Sequence, residues 1–80
     1  MRLDKYLKVS RIIKRRTVAN EACDAGRLTV NGKTARASYS VKIGDVIEIA
    51  FGTHTVKAEV LSIKETVRKE DAALMYKIIE

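Results

Sequence analysis

The dipeptide Asn31-Gly32 restricts the fold of this chain more than any other short motif in it. It lies between residues 28–30 and 33–36, and an Asn-Gly pair readily takes the positive φ angles that a two-residue hairpin turn requires. These two runs are therefore expected to pair as antiparallel strands. Further strands are predicted over residues 46–51 and 55–63. The chain after residue 27 is thus predicted to form a small antiparallel sheet.

A short helix is predicted at the beginning of the chain. In residues 2–9, a rotation of about 100° per residue places Leu3 and Leu7 on one face. The pattern breaks near Ser10, because continuing the helix would put Ile12 among basic side chains. A bend or irregular turn is therefore expected over residues 11–16.

A second helix is predicted over residues 17–25. Thr17 belongs to the residue types that cap helix N-termini, and Gly26 stands where a glycine commonly ends a helix. The small residues of this segment suit close packing against another element. Its apolar face is expected to consist of Val18, Ala22 and Ala25, with Ala19 and Cys23 beside it.

A final helix is predicted over residues 69–79. Glu70 and Asp71 would lie in its first turn, where the helix dipole favours acidic side chains. The expected fold class is α+β, with two N-terminal helices, a small antiparallel sheet and a short C-terminal helix. Eighty residues make one small domain, which hardly supplies a deep catalytic cavity.

The net charge of +6 is distributed unevenly along the chain. Residues 1–36 hold ten basic and three acidic side chains, whereas residues 37–80 hold six basic and seven acidic ones. Solubility alone does not require this segregation. A concentration of cations in one part of a small domain is typical of a surface that binds a polyanion such as nucleic acid.

Three consecutive cations, Lys14, Arg15 and Arg16, stand directly before the predicted second helix. They oppose the partial positive charge of a helix N-terminus, so they work against local stability. An incoming phosphate would reverse this effect, since it would meet the arginine side chains, the Thr17 hydroxyl and free backbone N–H groups together. This pattern favours a phosphate site, although a solvated charge run beside a turn would show the same residues.

Four further cations are candidates for the same surface. Arg2 and Lys5 lie on the polar side of the first predicted helix, and Lys33 and Arg36 flank the hairpin. An ordinary solvated helix face and an edge strand protected by lysine would explain them equally. Asp4 is expected either to pair with Lys8 or to orient a neighbouring arginine.

No catalytic or metal-binding arrangement is evident in the sequence. Cys23 is the only cysteine and His54 the only histidine, and neither has a partner at a spacing typical of an active site. The chain is therefore expected to be neither an enzyme nor a cofactor-binding protein. It shows no signal peptide and no membrane span, so a cytoplasmic location and no membrane partner are expected.

Several motifs together resemble the S4-type RNA-binding domain. They are Arg2–Leu7, Arg15-Arg16-Thr17 with Ala19, the run from Ala25 to Lys33, and the run from Val41 to Ile47. The resemblance covers residues 1–52, and residues 53–80 would be a strand-and-helix extension of the same domain. It implies the alpha-L motif, in which two helices pack on a strongly bent sheet. It also implies RNA contacts by Arg2, Lys5, Arg15, Arg16 and Lys33.

Within that family, this chain is similar to the RqcP family, in which the domain is short and free-standing. RqcP proteins are compact relatives of the small heat-shock ribosome-binding protein of proteobacteria. This resemblance implies a non-catalytic factor, expected to be monomeric, on large ribosomal subunits blocked by peptidyl-tRNA. Its expected partners are large-subunit rRNA, peptidyl-tRNA and the alanine-tailing factor RqcH. A generic module for structured RNA and an adaptor for an acidic protein are the alternatives.

Overall fold

The structure is a computed structural model that describes residues 1–79. It contains two α-helices, a 3₁₀-helix and one sheet of five antiparallel strands in the order β2-β1-β3-β4-β5. The elements are α1 (Leu3–Val9), α2 (Arg16–Asp24), β1 (Leu28–Val30), β2 (Lys33–Thr34), β3 (Val46–Phe51), β4 (His54–Val60), the 3₁₀-helix η1 (Lys69–Met75) and β5 (Tyr76–Ile79). The predicted α+β class is confirmed.

The predicted hairpin is present at Asn31-Gly32. Both residues have positive φ angles, 54° and 84°, as the two-residue turn requires. The Asn31 side chain also accepts the Val46 N–H at 3.0 Å, so the turn is joined to β3 as well as to its own strands. The return strand ends at Thr34, two residues earlier than predicted.

The early end of β2 is explained by what the next residues do. The carbonyl oxygen of Tyr39 accepts the Leu3 N–H at 2.8 Å, and that of Ala37 accepts the Asp4 N–H at 3.2 Å. The first N–H groups of a helix have no partner within the helix, and here backbone carbonyls satisfy two of them. Residues 36–40 therefore leave the sheet, and their backbone carbonyl groups bind the beginning of α1.

Helix α2 differs from the prediction at its start and in its buried face. It begins at Arg16 and has Arg15 as its N-cap residue, so the prediction that Thr17 caps it is wrong. Ala19 and Cys23 are the buried residues of α2, whereas Val18 is 45% exposed. Helix α1 packs against the narrow face that carries the smallest side chains, and the larger Val18 lies outside this contact.

The C-terminal segment is a helix for only part of its predicted length. The 3₁₀-helix η1 ends at Met75, and Tyr76–Ile79 forms β5, which pairs with β4 from Val60↔Tyr76 to Lys57↔Ile79. The prediction of a helix through residue 79 is wrong because hydrogen bonding along the free edge of β4 outweighs the helical pattern of this segment. Strand β4 itself ends at Val60 rather than at residue 63.

The core lies between α1, α2 and one face of the sheet. Its most deeply buried large side chains are Leu3, Tyr6, Leu7, Leu28, Ile47 and Ile49. Tyr6 also donates its hydroxyl to the Met75 carbonyl oxygen at 2.6 Å, which joins α1 to the end of η1. Within residues 1–79, no helix has the length and apolar character needed to cross a bilayer.

Removing the Tyr6 hydroxyl tests whether this bond stabilises the fold. We expect Tyr6→Phe to lower the free energy of unfolding by about 1 kcal/mol, because one buried hydrogen bond is lost while the ring remains. The melting temperature should fall by ~5 °C. Tyr76→Phe is the matched control, and thermal unfolding measures both. Equal melting temperatures for wild type and Tyr6→Phe would show that the bond contributes nothing.

Candidate nucleic-acid interface

Asp4 is the centre of the cationic surface. It lies in the first turn of α1, is 2% exposed, and has two arginines bound to its carboxylate. Arg2 donates from Nε to Oδ1 at 3.2 Å. Arg16 donates from Nη2 to Oδ1 at 3.4 Å, and its Nε lies 3.3 Å from Oδ2 as an ion pair. Asn20 donates to Oδ2 at 3.3 Å, and the Lys5 backbone N–H donates to Oδ1 at 2.8 Å. One buried carboxylate thus joins α1, its N-cap residue and α2.

Each of the two arginine side chains is bound to Asp4 and is also partly exposed to solvent. The side chain of Arg2 is 52% exposed and that of Arg16 is 47% exposed, whereas the Asp4 side chain is 3% exposed. Burial acts to raise the pKa of Asp4, but hydrogen bonds from Arg16, Asn20 and the Lys5 N–H outweigh it and hold the pKa below its ordinary value. The carboxylate is therefore ionised at neutral pH, while both guanidinium groups keep N–H donors facing solvent.

This geometry corrects one sequence-based expectation. The cations before α2 were expected to work against local stability, but Arg16 is compensated within the protein because it has Asp4 as its partner. Of the two roles left open for Asp4, the structure shows the orientation of arginines. Asn20 was not predicted to take part. Arg16 and Asn20 are four residues apart on α2, so they share a helix face, and this spacing is the sequence signal that could have identified the pair.

Arg36 extends the surface from the helices toward the hairpin. It lines one shallow groove with Arg2, Asn20 and Ser38, and it lines a neighbouring groove with Lys33. Both Arg36 and Lys33 are exposed. The irregular segment that caps α1 therefore also places Arg36 between the arginine cluster and the hairpin. Arg2, Arg36 and Lys33 therefore lie along two adjoining grooves, and Arg16 is joined to this surface through the carboxylate that it shares with Arg2.

The N-terminus of α2 carries the remaining predicted residues of the phosphate site. Arg15, the N-cap residue, makes no side-chain capping bond, and the first turn of α2 contains no acidic residue. The first N–H groups of the helix are consequently open to an external acceptor. Thr17 is exposed in this turn, as are Lys14 and Arg15, and within residues 1–79 neither cation is ion-paired.

Lys5 is placed differently from the other candidates. Its Nζ lies 2.6 Å from Glu65 Oε2, in the segment between β4 and η1. Since a local carboxylate already neutralises it, Lys5 contributes less free charge to the surface than the sequence indicates. Glu65 lies sixty positions away along the chain, and no pattern in the sequence predicted this pair.

Tyr39 is fixed by a polar network at the hairpin. Its hydroxyl donates to Asp45 Oδ2 at 2.8 Å, and Asp45 also accepts from the Asn31 amide at 3.0 Å and the Lys42 N–H at 2.9 Å. Asp45 is 7% exposed, so these bonds satisfy a buried carboxylate. The hydrogen bond to Asp45 raises the pKa of Tyr39. Tyr39 thus fixes the segment beside Lys33 and Arg36.

The described residues offer little for catalysis. The Cys23 thiol is buried, and burial raises its pKa to about 11, so it is protonated at neutral pH and is a poor nucleophile. No cluster of three metal-ligating side chains occurs within residues 1–79. What the surface provides is a set of oriented guanidinium groups beside an open helix N-terminus, an arrangement suited to binding phosphates.

Comparison with known proteins defines the class first. The S4 domain family matches residues 1–47, which contain α1, α2 and the hairpin. This segment contains Asp4 and the side chains bound to it, which are Arg2, Arg16 and Asn20. The match confirms the S4-type resemblance found in the sequence.

Relatives over the whole length then define the family within that class. The RQC P-site tRNA stabilizing factor of Streptococcus pneumoniae is 58% identical over 79 residues, which cover 99% of this chain and 90% of that protein. The factor of the same name from Halalkalibacterium halodurans is 56% identical over 78 residues, covering 98% and 89%. The chain belongs to this family of S4-domain proteins.

A solved structure confirms the fold over nearly the whole chain. The trimeric structure of heat shock protein 15 from Vibrio cholerae matches with a TM-score of 0.90 at 30% identity, covering 99% of this chain and 81% of that one. The likeness therefore includes β4, η1 and β5 as well as the S4 domain.

Proposed function

We propose that this protein is an RNA-binding factor of ribosome quality control that binds stalled large ribosomal subunits carrying peptidyl-tRNA. The observation that carries the proposal is the pair Arg2 and Arg16, both bound to buried Asp4 and both about half exposed. It occurs in a chain 58% identical to a P-site tRNA stabilizing factor. In this proposal the protein contacts rRNA and tRNA, and it supports elongation of an alanine tail by RqcH.

The physical mechanism is retention of tRNA without chemistry. A phosphate that approaches Asp4 meets two guanidinium groups whose orientation is already fixed, so binding orders fewer side chains than it would on a flexible lysine surface. The charges favour phosphates of any sequence, and the spacing of the grooves selects the shape of the folded RNA. A factor of this kind would hold tRNA in place by backbone contacts while another protein acts.

The proposed contacts extend over the whole cationic surface. Arg2 and Arg16 form its centre, and the open start of α2 adds a second phosphate position. In the proposal, residues 1–52 carry these contacts and residues 53–80 are an extension of the same domain. Strands β4 and β5, in the described part of that extension, belong to the same sheet as β1–β3. The proposed RNA-binding residues are Arg2, Lys5, Lys14, Arg15, Arg16, Thr17, Lys33 and Arg36.

Sucrose-gradient fractionation of cell extracts tests the proposal. We expect the protein to travel with free large subunits that carry tRNA, and binding to purified particles to fall with a log–log salt slope of roughly −3 to −5 for four to six phosphate contacts. Puromycin, which releases nascent chains, should reduce the bound fraction.

Two controls separate the alternatives. Cross-links distributed over mRNAs, with none enriched in rRNA or tRNA, would indicate a generic RNA module and contradict the proposal. Nuclease treatment of the extract should release the protein from its complex. A complex that survives complete RNA digestion would instead identify a protein partner.

A further inference from the structure

A groove beside β2 brings an aromatic side chain together with two cations. We call it the hairpin groove, and its volume is 710 Å³. Lys33 and Arg36 line it, and so does Tyr39, which is partly exposed. Clefts that bind small ligands measure roughly 300–1,000 Å³, so the hairpin groove is large enough for more than a single phosphate contact.

The lining of the hairpin groove is partly apolar. Val30 and Ala35 contribute to it, and both are buried, with exposures of 5% and 7%. A phosphate gains nothing from apolar walls, because it is bound by charge and hydrogen bonds. The flat face of a nucleobase, in contrast, can pack against the Tyr39 ring and the apolar side chains beside it.

Tyr39 is held in place before any ligand arrives. Its hydroxyl donates to Asp45 Oδ2 at 2.8 Å, and Asp45 is itself buried. Its backbone N–H donates to the Arg36 carbonyl oxygen at 3.0 Å, and its own carbonyl oxygen accepts the Leu3 N–H at 2.8 Å. A ring fixed in this way loses little conformational freedom when a base stacks on it, which favours binding.

The backbone of Thr34 adds a donor and an acceptor to the hairpin groove. Val30 pairs with Lys33 in the hairpin, and the Ala35 N–H donates to the Leu28 carbonyl oxygen at 3.0 Å. Hydrogen-bonded residues alternate along an antiparallel pair, so Thr34 directs its N–H and C=O away from β1, toward the free edge of the sheet. Thr34 lines the groove, where these groups can bond to the edge of a base.

The charges of the hairpin groove match the phosphates on either side of a base. Lys33 and Arg36 are exposed, and neither is ion-paired within residues 1–79. None of the lining residues is acidic, and the Asp45 carboxylate is occupied by three hydrogen bonds. The groove thus combines free cations, an aromatic ring and open backbone groups, which are the elements that bind a single-stranded nucleotide.

From this combination we propose that the hairpin groove binds one unpaired nucleotide, with its base stacked on Tyr39 and its flanking phosphates at Lys33 and Arg36. The inference rests on the proposed RNA-binding function and deepens it, because the contacts described above involve the RNA backbone alone. A base within a helix is stacked on its neighbours and does not reach the groove. The groove therefore distinguishes RNA with a single-stranded end or loop from fully paired RNA.

RNA hairpins that differ only in the bases of a single-stranded extension test the proposal. One hairpin carries four adenosines at its 3′ end, and the other carries four abasic nucleotides, so both have the same number of phosphates. We expect wild type to bind the adenosine form about tenfold more tightly, because stacking supplies the difference. Tyr39→Leu should bind both forms as wild type binds the abasic one. Fluorescence anisotropy measures the four affinities.

Two variants separate stacking from a structural effect. Tyr39→Phe loses the bond to Asp45 but keeps the ring, so it should retain most of the preference for adenosine. An equal loss of preference in Tyr39→Phe and Tyr39→Leu would show that the bond, and not the ring, is responsible, and would overturn the proposal. Phe51→Leu removes an exposed aromatic ring at the end of β3 and should keep the full preference.

The outcomes also separate this inference from the proposed function. A wild type that binds neither hairpin overturns the proposed function. A wild type that binds both hairpins equally overturns only the nucleotide site, as does a Tyr39→Leu variant that keeps the preference. Loss of the preference in the presence of an acidic peptide containing tyrosine, with binding of the abasic form unchanged, would assign the groove to a protein segment and contradict the proposal. Unfolding curves show that each variant is folded at the assay temperature.

Discussion

Replacing Arg16 with alanine should weaken RNA binding about ten- to a hundredfold, because a charge-assisted hydrogen bond to phosphate contributes about 1.5–3 kcal/mol. The salt slope should become shallower by about one, since one fewer phosphate is neutralised. Arg2→Ala should have a similar effect, and the double variant should leave the large-subunit fractions of a gradient. Fluorescence anisotropy with a labelled RNA hairpin measures affinity and slope together.

Two further variants separate the geometry of Arg16 from its charge. Arg16→Lys keeps the charge but loses the planar group that reaches Asp4 and a phosphate together, so we expect intermediate affinity with the wild-type salt slope. Arg27→Ala removes an exposed arginine beyond the C-terminal end of α2, outside the surface that contains Asp4, and should change affinity little. If Arg27→Ala weakened binding as much as Arg16→Ala, net charge rather than a defined site would explain the affinity.

The helices and the hairpin could be predicted because their signals are local. Periodic leucines placed α1, and Asn31-Gly32 has the φ angles that its residue types favour. Strand β5 could not be predicted in the same way. Its residues continue an apolar helical pattern, and only the free edge of β4, sixteen or more residues earlier, makes them a strand. The formation of β5 depends on long-range pairing with β4, which a local sequence pattern does not indicate.

The candidate site was predictable as a set of residues but not as an arrangement. Charge segregation identified the cations, and every one of them lies at the surface or half-buried beside it. Their partners depend on tertiary contacts. Asp4 bonds across to α2, and Glu65 reaches Lys5 from the other end of the chain. For this reason the sequence left open whether Asp4 pairs with Lys8 or orients an arginine, whereas the structure shows Arg16 oriented by this carboxylate.

Asp4→Asn gives the sharpest test of this orientation, because charge and geometry predict opposite results. The substitution removes a negative charge, so the net charge of +6 becomes +7, and a pure charge effect would tighten RNA binding. If Asp4 acts by orienting Arg2 and Arg16, binding should instead weaken by about tenfold, or ~1.4 kcal/mol. Asp24→Asn is the control. Asp24 is exposed in the groove lined by Arg2 and Arg36, and it binds no arginine within residues 1–79, so Asp24→Asn should bind RNA slightly more tightly.

The stability of Asp4→Asn should show how much the Asp4 carboxylate stabilises the protein in the absence of RNA. The pKa of Asp4 is lowered in the folded state. Ionised Asp4 therefore stabilises the fold at pH values above its unfolded pKa of about 3.9. This stabilisation is lost as the pH falls through the folded pKa. We expect Asp4→Asn to lower the free energy of unfolding by about 2 kcal/mol at pH 7, with the difference shrinking in acid. Urea unfolding across pH measures it. RNA binding by Asp4→Asn as tight as by Asp24→Asn would show that the two arginines need no internal carboxylate, and the cationic surface would then act through charge alone.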